Sequence, residues 1–347
     1  MQRVRVGIIG AGKIARNHIR IGFAAAGAEV VALADINEEA LNALGDEFEI
    51  ENRYKDWQAL VARDDIEAVS VALPPFLHAP ATIDALKAGK HVLCEKPMSC
   101  TVQEAEAMVQ AAKDADRKLM IYYRRRLLNA TQKAKELIES GALGKIYFAR
   151  TAGYRFRGRP NIDMENLSPW FNDPKKAGGG VLFDLGGYAL DQLCYLLGWP
   201  ELKSCCAQTY AEIDREETAK KGFDVDEFVV GMVRFADGTT AWLEGASAVN
   251  MDPAQAGGTK IFGDKAGLDL GGMTLYKSAG GRDMQVEKVE VAPQEKGANH
   301  ATICVEFIDA ITQGRPLAVC SGEEGLYVQR ILCGMQRSAA EQAEVGV

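Results

Sequence analysis

Residues 4–15 read VRVGIIGAGKIA, and this stretch decides the fold of the first part of the chain. Its first half, Val4 to Ile9, is a short run rich in β-branched residues, which predicts a buried strand. The second half has the pattern G-x-G-x-x-A, in which Gly10 permits a tight turn and Gly12 lets the backbone approach a pyrophosphate. Ala15 is small enough for the following helix to pack on the strand. The stretch therefore predicts a strand–turn–helix unit that binds a dinucleotide.

The residues that follow the glycines indicate how this nucleotide is held. Lys13 and Ile14 open the helix, whose N-terminal amides would face the phosphates. A second strand, Glu29 to Ala34, ends at Asp35, 23 positions after the second glycine, where a carboxylate would accept hydrogen bonds from the adenosine ribose. Asn37 suits the role of helix cap better than Asp35 does. A carboxylate at this strand end repels a 2′-phosphate, so NAD is favoured over NADP.

Strand-like and helical segments continue to alternate over the first 121 residues, which predicts a nucleotide-binding domain over residues 1–121. Such alternation is typical of a parallel, doubly wound α/β sheet. Ligands in these sheets lie at the carboxyl ends of the strands, and two such ends are the sequences LPP and CEKP. The residues of these two ends that we expect to contact the cofactor are Leu73, Pro74, Glu95 and Lys96.

Size and composition exclude several classes of protein. A chain of 347 residues suggests two domains, and a net charge of −8 argues against a dedicated nucleic-acid binder. The N-terminus does not resemble a signal peptide, and no stretch approaches the ~18–20 apolar residues of a membrane span. The eight cysteines are scattered without C-x-x-C spacing, so we expect no metal cluster or disulfide framework, and a cytoplasmic location.

Residues 178–191 read GGGVLFDLGGYALD and bring a carboxylate and a phenol together behind flexible backbone. Asp184 and Tyr188 stand four residues apart, so both would point the same way from one α-helical face. The surrounding region, residues 122–347, contains alternating half-buried strands, a hairpin signal at Asp237-Gly238 and a final amphipathic helix. It predicts a second domain that binds substrate and mediates oligomerisation, and a last helix that packs back on the first domain.

Three ordered motifs carry a resemblance over almost the whole chain: GIIGAGKIARNH, LPPFLHAPATIDALKAGKHVLCEKPM and AGGGVLFDLGGYALDQLCYLLG. The chain resembles the glucose–fructose oxidoreductase/inositol dehydrogenase family (Gfo/Idh/MocA). The resemblance implies an N-terminal Rossmann domain and an α+β C-terminal domain with a large, open, mostly antiparallel sheet. It implies NAD(P)-dependent oxidation or reduction of sugars, cyclitols and related polyols. Because an open sheet face favours self-association, a homodimer or homotetramer is expected.

The resemblance also implies which residues are catalytic. Lys96 matches a lysine between the nicotinamide and the substrate hydroxyl, and Asp184 matches an aspartate that would orient the substrate or the lysine. The family usually has an acid/base histidine at the position of Tyr188, although some relatives have tyrosine. A free phenol has a pKa of about 10, which an ammonium within ~4–6 Å would lower. We therefore expect Lys96 and Tyr188 to transfer the proton; the alternative is that Tyr188 only packs.

Further contacts around the nicotinamide and the substrate follow from the resemblance. His78 and Trp170 match positions near the nicotinamide, although His78 would serve equally as a helix-start residue that packs under its loop. Tyr123 and Arg124 match a substrate-binding segment in which the family commonly has asparagine and arginine, so Tyr123 is a departure. Phe171 likewise replaces an arginine that often follows the tryptophan.

The sequence YRFRGRP is locally basic, although the chain as a whole has a net charge of −8. Its three arginines are Arg155, Arg157 and Arg159. Guanidinium groups in a loop near the substrate would hold a carboxylate or phosphate bidentately. Arg155 and Arg157 are therefore expected to contact an anionic substrate, such as a uronate, a sugar phosphate or a nucleotide sugar. The alternative is that the arginines pair with Asp163 and Glu165 or contact another subunit.

Together these features predict an NAD-dependent dehydrogenase or reductase that acts on a CH–OH group of a sugar, cyclitol or sugar derivative. Two other functions stay open. One is a nucleotide-binding sensor without turnover. The other is an enzyme that keeps NAD tightly bound, either to shuttle hydride between two sugars or to use it transiently in a lyase or hydrolase cycle.

Overall fold

The computed structural model describes residues 3–165 and 167–347, which form two compact units. The first unit contains the chain through Arg124 together with Glu295–Gln329. The second contains Arg125–Gln294 together with Arg330–Val347. Residues 295–329 thus belong with the first unit although they lie far along the chain. Within the described ranges, no helix is both long and apolar enough to span a bilayer.

The first unit is built on a parallel sheet of six strands. These are β1 (Arg5–Ile9), β2 (Glu29–Ala34), β3 (Asn52–Tyr54), β4 (Ala68–Val71), β5 (His91–Cys94) and β6 (Leu119–Ile121). They lie in the order β3-β2-β1-β4-β5-β6, and every neighbouring pair is parallel. All four residues of β4 are buried, as expected for a strand covered on both faces. This strand order is that of a dinucleotide-binding fold and confirms the predicted doubly wound sheet.

Helices connect these strands, and their ends follow the sequence signals. The helix after β5 begins with the predicted capping box: Glu104 N–H donates to Thr101 Oγ1 at 3.2 Å, and Thr101 N–H donates to Glu104 Oε2 at 3.0 Å. The helix after β1 is short and continues as a π-helical turn, His18–Phe23. The first five helices are α1 (Lys13–Asn17), α2 (Glu38–Glu47), α3 (Trp57–Val61), α4 (His78–Lys87) and α5 (Val102–Ala115).

The second unit is built on a mixed sheet of nine strands. These are β7 (Ile146–Tyr154), β8 (Leu202–Tyr210), β9 (Phe228–Phe235), β10 (Thr240–Ala246), β11 (Gly258–Gly263), β12 (Ala266–Asp269), β13 (Thr274–Gly280), β14 (Asp283–Lys288) and β15 (Val345–Gly346). Their order is β14-β13-β12-β11-β7-β10-β9-β8-β15. The β7–β10 pair is parallel and the other neighbours are antiparallel. The large, open, mostly antiparallel sheet implied by the resemblance is thus confirmed, with the predicted turn at Asp237-Gly238 between β9 and β10.

Six more helices complete the two units. Those of the second unit before residue 295 are α6 (Asn129–Glu139), α7 (Pro174–Ala177), α8 (Gly187–Leu197) and α9 (Arg215–Lys220). The last two are α10 (Ala298–Thr312), in the first unit, and α11 (Gly322–Glu341), which continues from the first unit into the second. The predicted apolar side of α11 is confirmed, since four of its residues are fully buried: Val328, Ile331, Leu332 and Met335.

A buried ion pair connects α8 to the turn before α6. Arg126 Nε lies 3.0 and 2.9 Å from the two carboxylate oxygens of Asp191, and both side chains are fully buried. The Arg126 guanidinium also stacks on Trp199, 4.6 Å from the ring centre. Burying two charges is costly unless they are well paired, and here the pairing is bidentate. This pair therefore fixes the start of α6 against α8.

We expect Arg126→Met to destabilise the second unit, because Asp191 then keeps a buried negative charge without its cation. Breaking such a pair costs about 3–5 kcal/mol, and Arg126→Met/Asp191→Leu should recover most of the loss because neither charge remains. Urea unfolding followed by circular dichroism measures these free energies. Lys277→Met, in a partly exposed pair with Glu287 at 2.7 Å, is the control and should cost less than about 1 kcal/mol. Arg126→Met as stable as the parent would contradict the expectation.

Candidate active site

The carboxyl edge of the parallel sheet brings together most of the residues predicted to bind the cofactor. Residues 10–14 follow β1, Asp35 follows β2, and residues 73–75 and 94–97 follow β4 and β5. Because β2, β1, β4 and β5 are neighbours in that order and run parallel, these loops lie side by side. Such an edge, where the strand order reverses, is where doubly wound sheets bind their ligands.

The turn after β1 has the backbone that a pyrophosphate requires. Gly10 adopts a φ of +101°, which favours glycine, and its N–H donates to Ala34 O at 2.8 Å. A Cβ on Gly10 would overlap the carbonyl oxygen of Ala72. Gly12 is exposed, and a Cβ built on it would have no other protein atom within 4 Å. Gly12 also precedes α1 and has no side chain to cap it, so open space is present for phosphates at the start of this helix.

Asp35 connects the end of β2 to this turn. Its Oδ2 accepts the N–H of Ala11 at 2.6 Å, and its Oδ1 accepts the N–H of Asn37 at 2.8 Å. Asn37 is the cap of α2, as predicted, since its Oδ1 accepts the N–H of Ala40 at 3.1 Å. A carboxylate at this strand end accepts hydrogen bonds from ribose hydroxyls and repels a 2′-phosphate. The residues present therefore fit NAD.

A buried histidine that the sequence did not indicate supports the lysine segment. His18 Nε2 lies 3.0 Å from Glu95 Oε1, and His18 Nδ1 lies 2.8 Å from Ser70 Oγ. The other oxygen of Glu95 accepts the backbone N–H of Lys96 at 3.1 Å. His18 and Ser70 are fully buried, and the ring of Tyr122 stacks on His18 with centres 4.3 Å apart. A chain of buried side chains thus ends at the backbone of Lys96.

This environment decides the charge of Glu95. Burial alone would raise the pKa of its carboxyl. The hydrogen bond and charge of His18, together with the ammonium and amide of Lys96, outweigh burial and hold the pKa of Glu95 below its ordinary value. Glu95 is therefore ionised at neutral pH. Because a carboxylate only accepts hydrogen bonds, His18 Nε2 is the donor.

His78 connects the two loops at the sheet edge. It is the first residue of α4 and is fully buried, with Nδ1 2.8 Å from Pro97 O and Nε2 2.7 Å from Leu73 O. Burial lowers the pKa of His78, although the two carbonyls act in the opposite direction. This is the packing under the loop that the sequence left open, and it joins the segment after β4 to the segment after β5. The predicted contact of His78 with the nicotinamide stays a prediction.

In the second unit, the glycines at 178–180 let the backbone approach Asp226. The N–H groups of Gly180 and Leu182 donate to Asp226 Oδ1 and Oδ2 at 2.7 and 2.8 Å. The N–H of Val181 donates to the Asp226 carbonyl at 2.9 Å. A Cβ on Gly180 would overlap the backbone of Asp226, so glycine is required there. Burial raises the pKa of the Asp226 carboxyl, while the amide donors oppose the rise.

Asp184 lies in a π-helical turn, Leu182–Gly186, and α8 begins only at Gly187. The helix expected through Asp184 and Tyr188 is present over residues 181–197, but it contains a π-helical turn at Asp184. Asp226 holds the backbone just before this turn through the N–H groups of Gly180 and Leu182. Single π turns inside helices are frequent at functional sites.

The aromatic and charged groups around Tyr188 include one that the sequence did not indicate. Asp184 and Tyr188 are both half-buried, and the guanidinium carbon of Arg125 lies 5.2 Å from the centre of the Tyr188 ring. The run of three arginines from 124 to 126 offered no basis for choosing among them. Trp170 lies in a short 3-10 turn and stacks on Phe171, with ring centres 3.7 Å apart and planes 22° apart.

The three arginines of YRFRGRP have different surroundings. Arg159 is fully buried, with Nε 2.8 Å from Asp163 Oδ2 and one terminal nitrogen 3.1 Å from Glu227 Oε2. The pairing alternative is thus confirmed for Arg159 and Asp163, whereas Glu227 was not indicated by the sequence. Arg157 is half-buried and donates to oxygens of a neighbouring loop, and Arg155 is exposed. The expected contact with an anionic substrate therefore stays a prediction for Arg155 and Arg157.

The segment after β6 is largely buried. Tyr122 Oη lies 2.9 Å from His300 Nδ1, and the carbonyl of Tyr123 accepts the thiol of Cys320 at 3.5 Å. The side chain of Tyr123 is fully buried, whereas Arg124 is half-buried. The substrate contacts expected of Tyr123 and Arg124 stay predictions.

We expect Glu95→Gln to destabilise the protein at neutral pH and to reduce its sensitivity to acid. Folding lowers the pKa of Glu95, so the carboxylate contributes stability above its unfolded pKa of about 4.3. That contribution is lost as the pH falls through the folded value. The free energies of unfolding of parent and variant should therefore differ by about 3 kcal/mol at pH 7. The difference should begin to shrink as the pH falls below the unfolded pKa of about 4.3 and should vanish only below the folded pKa.

Urea unfolding of the cofactor-free protein across this pH range measures the difference. Glu38→Gln, in an exposed pair with Lys55 at 2.7 Å, is the control and should change stability by less than about 1 kcal/mol. A difference between parent and Glu95→Gln that stays constant with pH would refute an ionised Glu95 bonded to His18.

Two family models match the chain, one in each part. Residues 4–123 match the Gfo/Idh/MocA oxidoreductase family with its NAD-binding Rossmann fold, and residues 131–269 match the Gfo/Idh/MocA C-terminal domain. The chain is 30% identical over 345 residues to myo-inositol 2-dehydrogenase of Thermotoga maritima, and this alignment covers 99% of this chain and 98% of that protein. It is 29% identical over 344 residues to D-glucoside 3-dehydrogenase of Escherichia coli K12, and this alignment covers 97% of this chain and 95% of that protein.

Solved structures with the same fold include two oxidoreductases whose names specify a sugar or sugar derivative. Levoglucosan dehydrogenase in complex with NADH and levoglucosan has a TM-score of 0.83 at 27% identity, with both chains covered completely. Aldose–aldose oxidoreductase of Caulobacter crescentus, complexed with glycerol, has a TM-score of 0.80 at 29% identity, again with both chains covered completely. With the strand order, the phosphate turn and these matches in agreement, the chain belongs to the Gfo/Idh/MocA family of NAD-binding oxidoreductases.

Proposed function

We propose that this protein is an NAD-dependent dehydrogenase that oxidises a secondary alcohol of a sugar, cyclitol or sugar derivative, or catalyses the reverse reduction. The observation that carries the proposal is the support given to Lys96. Its backbone is bonded to a buried, ionised Glu95 at the carboxyl end of β5, in a chain similar over its length to dehydrogenases of glucosides and inositol. A surface lysine without a function would need no such buried support.

Most of the residues that would hold the cofactor belong to the first unit. Gly10, Gly12 and the amides of Lys13 and Ile14 would hold the pyrophosphate, and Asp35 the adenosine ribose. When bound, NAD accepts the hydride that leaves the substrate carbon. The protein must therefore remove the hydroxyl proton of the alcohol during oxidation and supply it during reduction.

Proton transfer and substrate binding are assigned to residues of both parts of the sequence. We propose that Lys96 donates hydrogen bonds to the reacting oxygen, that Tyr188 exchanges the proton and that Asp184 orients the substrate. Leu73, Pro74 and His78 would shape the nicotinamide end of the cofactor site. Trp170, Tyr123 and Arg124 would add the remaining contacts to cofactor and substrate.

The first test removes the two groups proposed to handle the proton. Lys96→Met should lose turnover by about 10³-fold or more, because no cation then stabilises the developing alkoxide. Tyr188→Phe should lose roughly 10²–10⁴-fold if the phenol is the acid/base. The initial rate of NADH formation measures both effects.

Binding of NADH to each variant, measured by fluorescence, is the matched control. We expect it to be little changed, because the residues proposed for the pyrophosphate and ribose are untouched. Near-normal turnover of Tyr188→Phe would refute its acid/base role, and near-normal turnover of Lys96→Met would refute the catalytic assignment of the lysine.

A second test asks whether the substrate is anionic. Arg155 and Arg157 keep surface available for a ligand, so we expect a uronate to be used with higher kcat/KM than the corresponding neutral sugar. Arg157→Ala should reduce that preference by about tenfold, because a charge-assisted contact of the substrate carboxylate is lost. Equal kcat/KM for both sugars, unchanged in Arg157→Ala, would exclude an anionic substrate.

The substrate itself is sought by a screen of sugars, uronates and inositols with NAD and, separately, with NADP. The screen also separates the dehydrogenase from its rivals. Cofactor that co-purifies and does not exchange would favour the hydride shuttle or the transient use of NAD. Binding of NAD with no turnover on any of these compounds would favour a sensor.

We further propose the organisation that the sequence predicts for the whole protein. Residues 1–121 would be the NAD-binding domain, and residues 122–347 the domain that binds substrate and mediates oligomerisation. Self-association as a homodimer or homotetramer would cover the open sheet, whose exposed apolar side chains include Tyr210 and Tyr276. The free cysteines are compatible with a cytoplasmic location.

A further inference from the structure

Two adjacent arginines contact successive turns of α8. Arg126 makes the buried bidentate pair with Asp191. Asp191 stands three residues after Tyr188, which is about one helical turn. The preceding arginine, Arg125, lies with its guanidinium carbon 5.2 Å from the centre of the Tyr188 ring. Arg126 thus pairs with a carboxylate of α8, and Arg125 lies over the ring of a phenol about one turn earlier on the same helix.

The backbone of Arg125 is held against α8 by several bonds. Its carbonyl accepts the hydroxyl of Thr131 at 3.0 Å, and the same hydroxyl accepts the side-chain amide of Gln192, on α8, at 2.6 Å. The neighbouring Arg126–Asp191 pair is fully buried. These bonds hold the backbone of Arg125 and Arg126 beside α8.

Other charges near this ring from the second unit are either paired or lie further along α8. The charge of Asp191 is compensated by Arg126. Lys135 of α6 stacks on Tyr195, two turns after Tyr188, and pairs with Glu139 at 3.4 Å. Asp184, in the π turn before α8, is the carboxylate on the same segment as Tyr188, and its negative charge opposes ionisation of the phenol.

The strands that pack against α8 have uncharged side chains among their buried residues. α8 and the π turn before it pack on β7 and β10. The buried side chains of those strands are uncharged: Ala149, Thr151, Ala241 and Leu243. Among the described residues of the second unit, the charged groups close to Tyr188 thus include a cation over its ring and a carboxylate in the preceding turn.

We propose that Arg125 is a positioning residue that stabilises the ionised form of Tyr188 and so makes this tyrosine a proton acceptor near neutral pH. The inference rests on the proposed function, in which Tyr188 exchanges the substrate proton. A guanidinium over an aromatic ring is attracted by the neutral ring and more strongly by the phenolate. Arginine stays charged throughout the working range of an enzyme, so the effect is permanent.

The chemical step needs no further reactant. During oxidation, the O–H bond of the substrate alcohol breaks and its proton passes to Tyr188 Oη, while NAD accepts the hydride from the carbon. The phenolate becomes a phenol, and the carbinol becomes a carbonyl. During reduction the phenol returns the proton to the new alkoxide. Arg125 exchanges no proton, and its guanidinium lies over the ring of Tyr188.

The first test titrates the tyrosine without any cofactor. Absorbance of tyrosinate near 295 nm is followed against pH in the cofactor-free protein, and the curve of Tyr188→Phe is subtracted to isolate one residue. Arg125→Gln should move the titration midpoint of Tyr188 upward by about one pH unit or more, and Arg125→Lys should restore most of it. An unchanged midpoint in Arg125→Gln refutes the inference.

The second test follows turnover against pH with a substrate from the screen. In Arg125→Gln the acidic limb of kcat should move to higher pH by the same amount, so the rate at neutral pH falls about tenfold and recovers in alkaline buffer. A loss of rate that is equal at every pH refutes the inference. Arg125→Met, which keeps an unbranched side chain without the charge, replaces the glutamine variant if that one does not fold.

Arg20→Gln is the matched control, because Arg20 lies 5.6 Å from the ring centre of Phe48, which has no proton to lose. It should leave both curves unchanged. The two hypotheses fail separately. Normal turnover of Tyr188→Phe would refute the proposed role of the phenol, whereas the titration would still measure the effect of Arg125 on it.

Discussion

The hydrogen bond between Glu95 and His18 is the interaction on which the site of the first unit depends. A carboxylate buried at the end of a central strand is costly unless it is paired, and His18 supplies the partner. His18 directly follows α1, which itself begins at the phosphate turn. The helix that would receive the pyrophosphate therefore leads into the residue that keeps Glu95 ionised, and Glu95 in turn bonds to the backbone of Lys96. The phosphate turn and the lysine segment form one hydrogen-bonded structure.

The second unit uses a buried carboxylate for a similar purpose but with another electrostatic result. Asp226 accepts two backbone N–H groups at the start of the segment that contains Asp184. Neutral amides stabilise its charge less than a histidine does, so burial wins and the pKa of Asp226 is raised, whereas that of Glu95 is lowered. Both carboxylates bond to the backbone of a functional segment. The backbone positions of Lys96 and Asp184 are thus set in part by these contacts.

The fold was largely predictable because its signals are local. The glycine pattern, the capping box at Thr101 and the run of short apolar segments each depend on residues close in sequence, and all three appear in the structure. The π turn at Asp184 was not predictable, since it depends on Asp226, 42 positions later, and an acidic stretch such as DVDEF does not indicate which carboxylate turns inward. His18 stood in a motif that carried the family resemblance, yet its partners Ser70 and Glu95 lie on two other strands. Long-range pairs of this kind leave no periodic trace in one sequence.

The arginines illustrate why residue type alone did not identify function. A guanidinium stays charged in every environment, so what distinguishes one arginine from another is the partner that compensates it. Arg126 and Arg159 are buried, and each forms an ion pair with a carboxylate that compensates its charge. Arg125 and Arg157 lie over aromatic rings and are half-buried. Within one short run, adjacent arginines thus differ in kind: burial beside Asp191 makes Arg126 structural, whereas Arg125 lies over the ring of Tyr188 on α8.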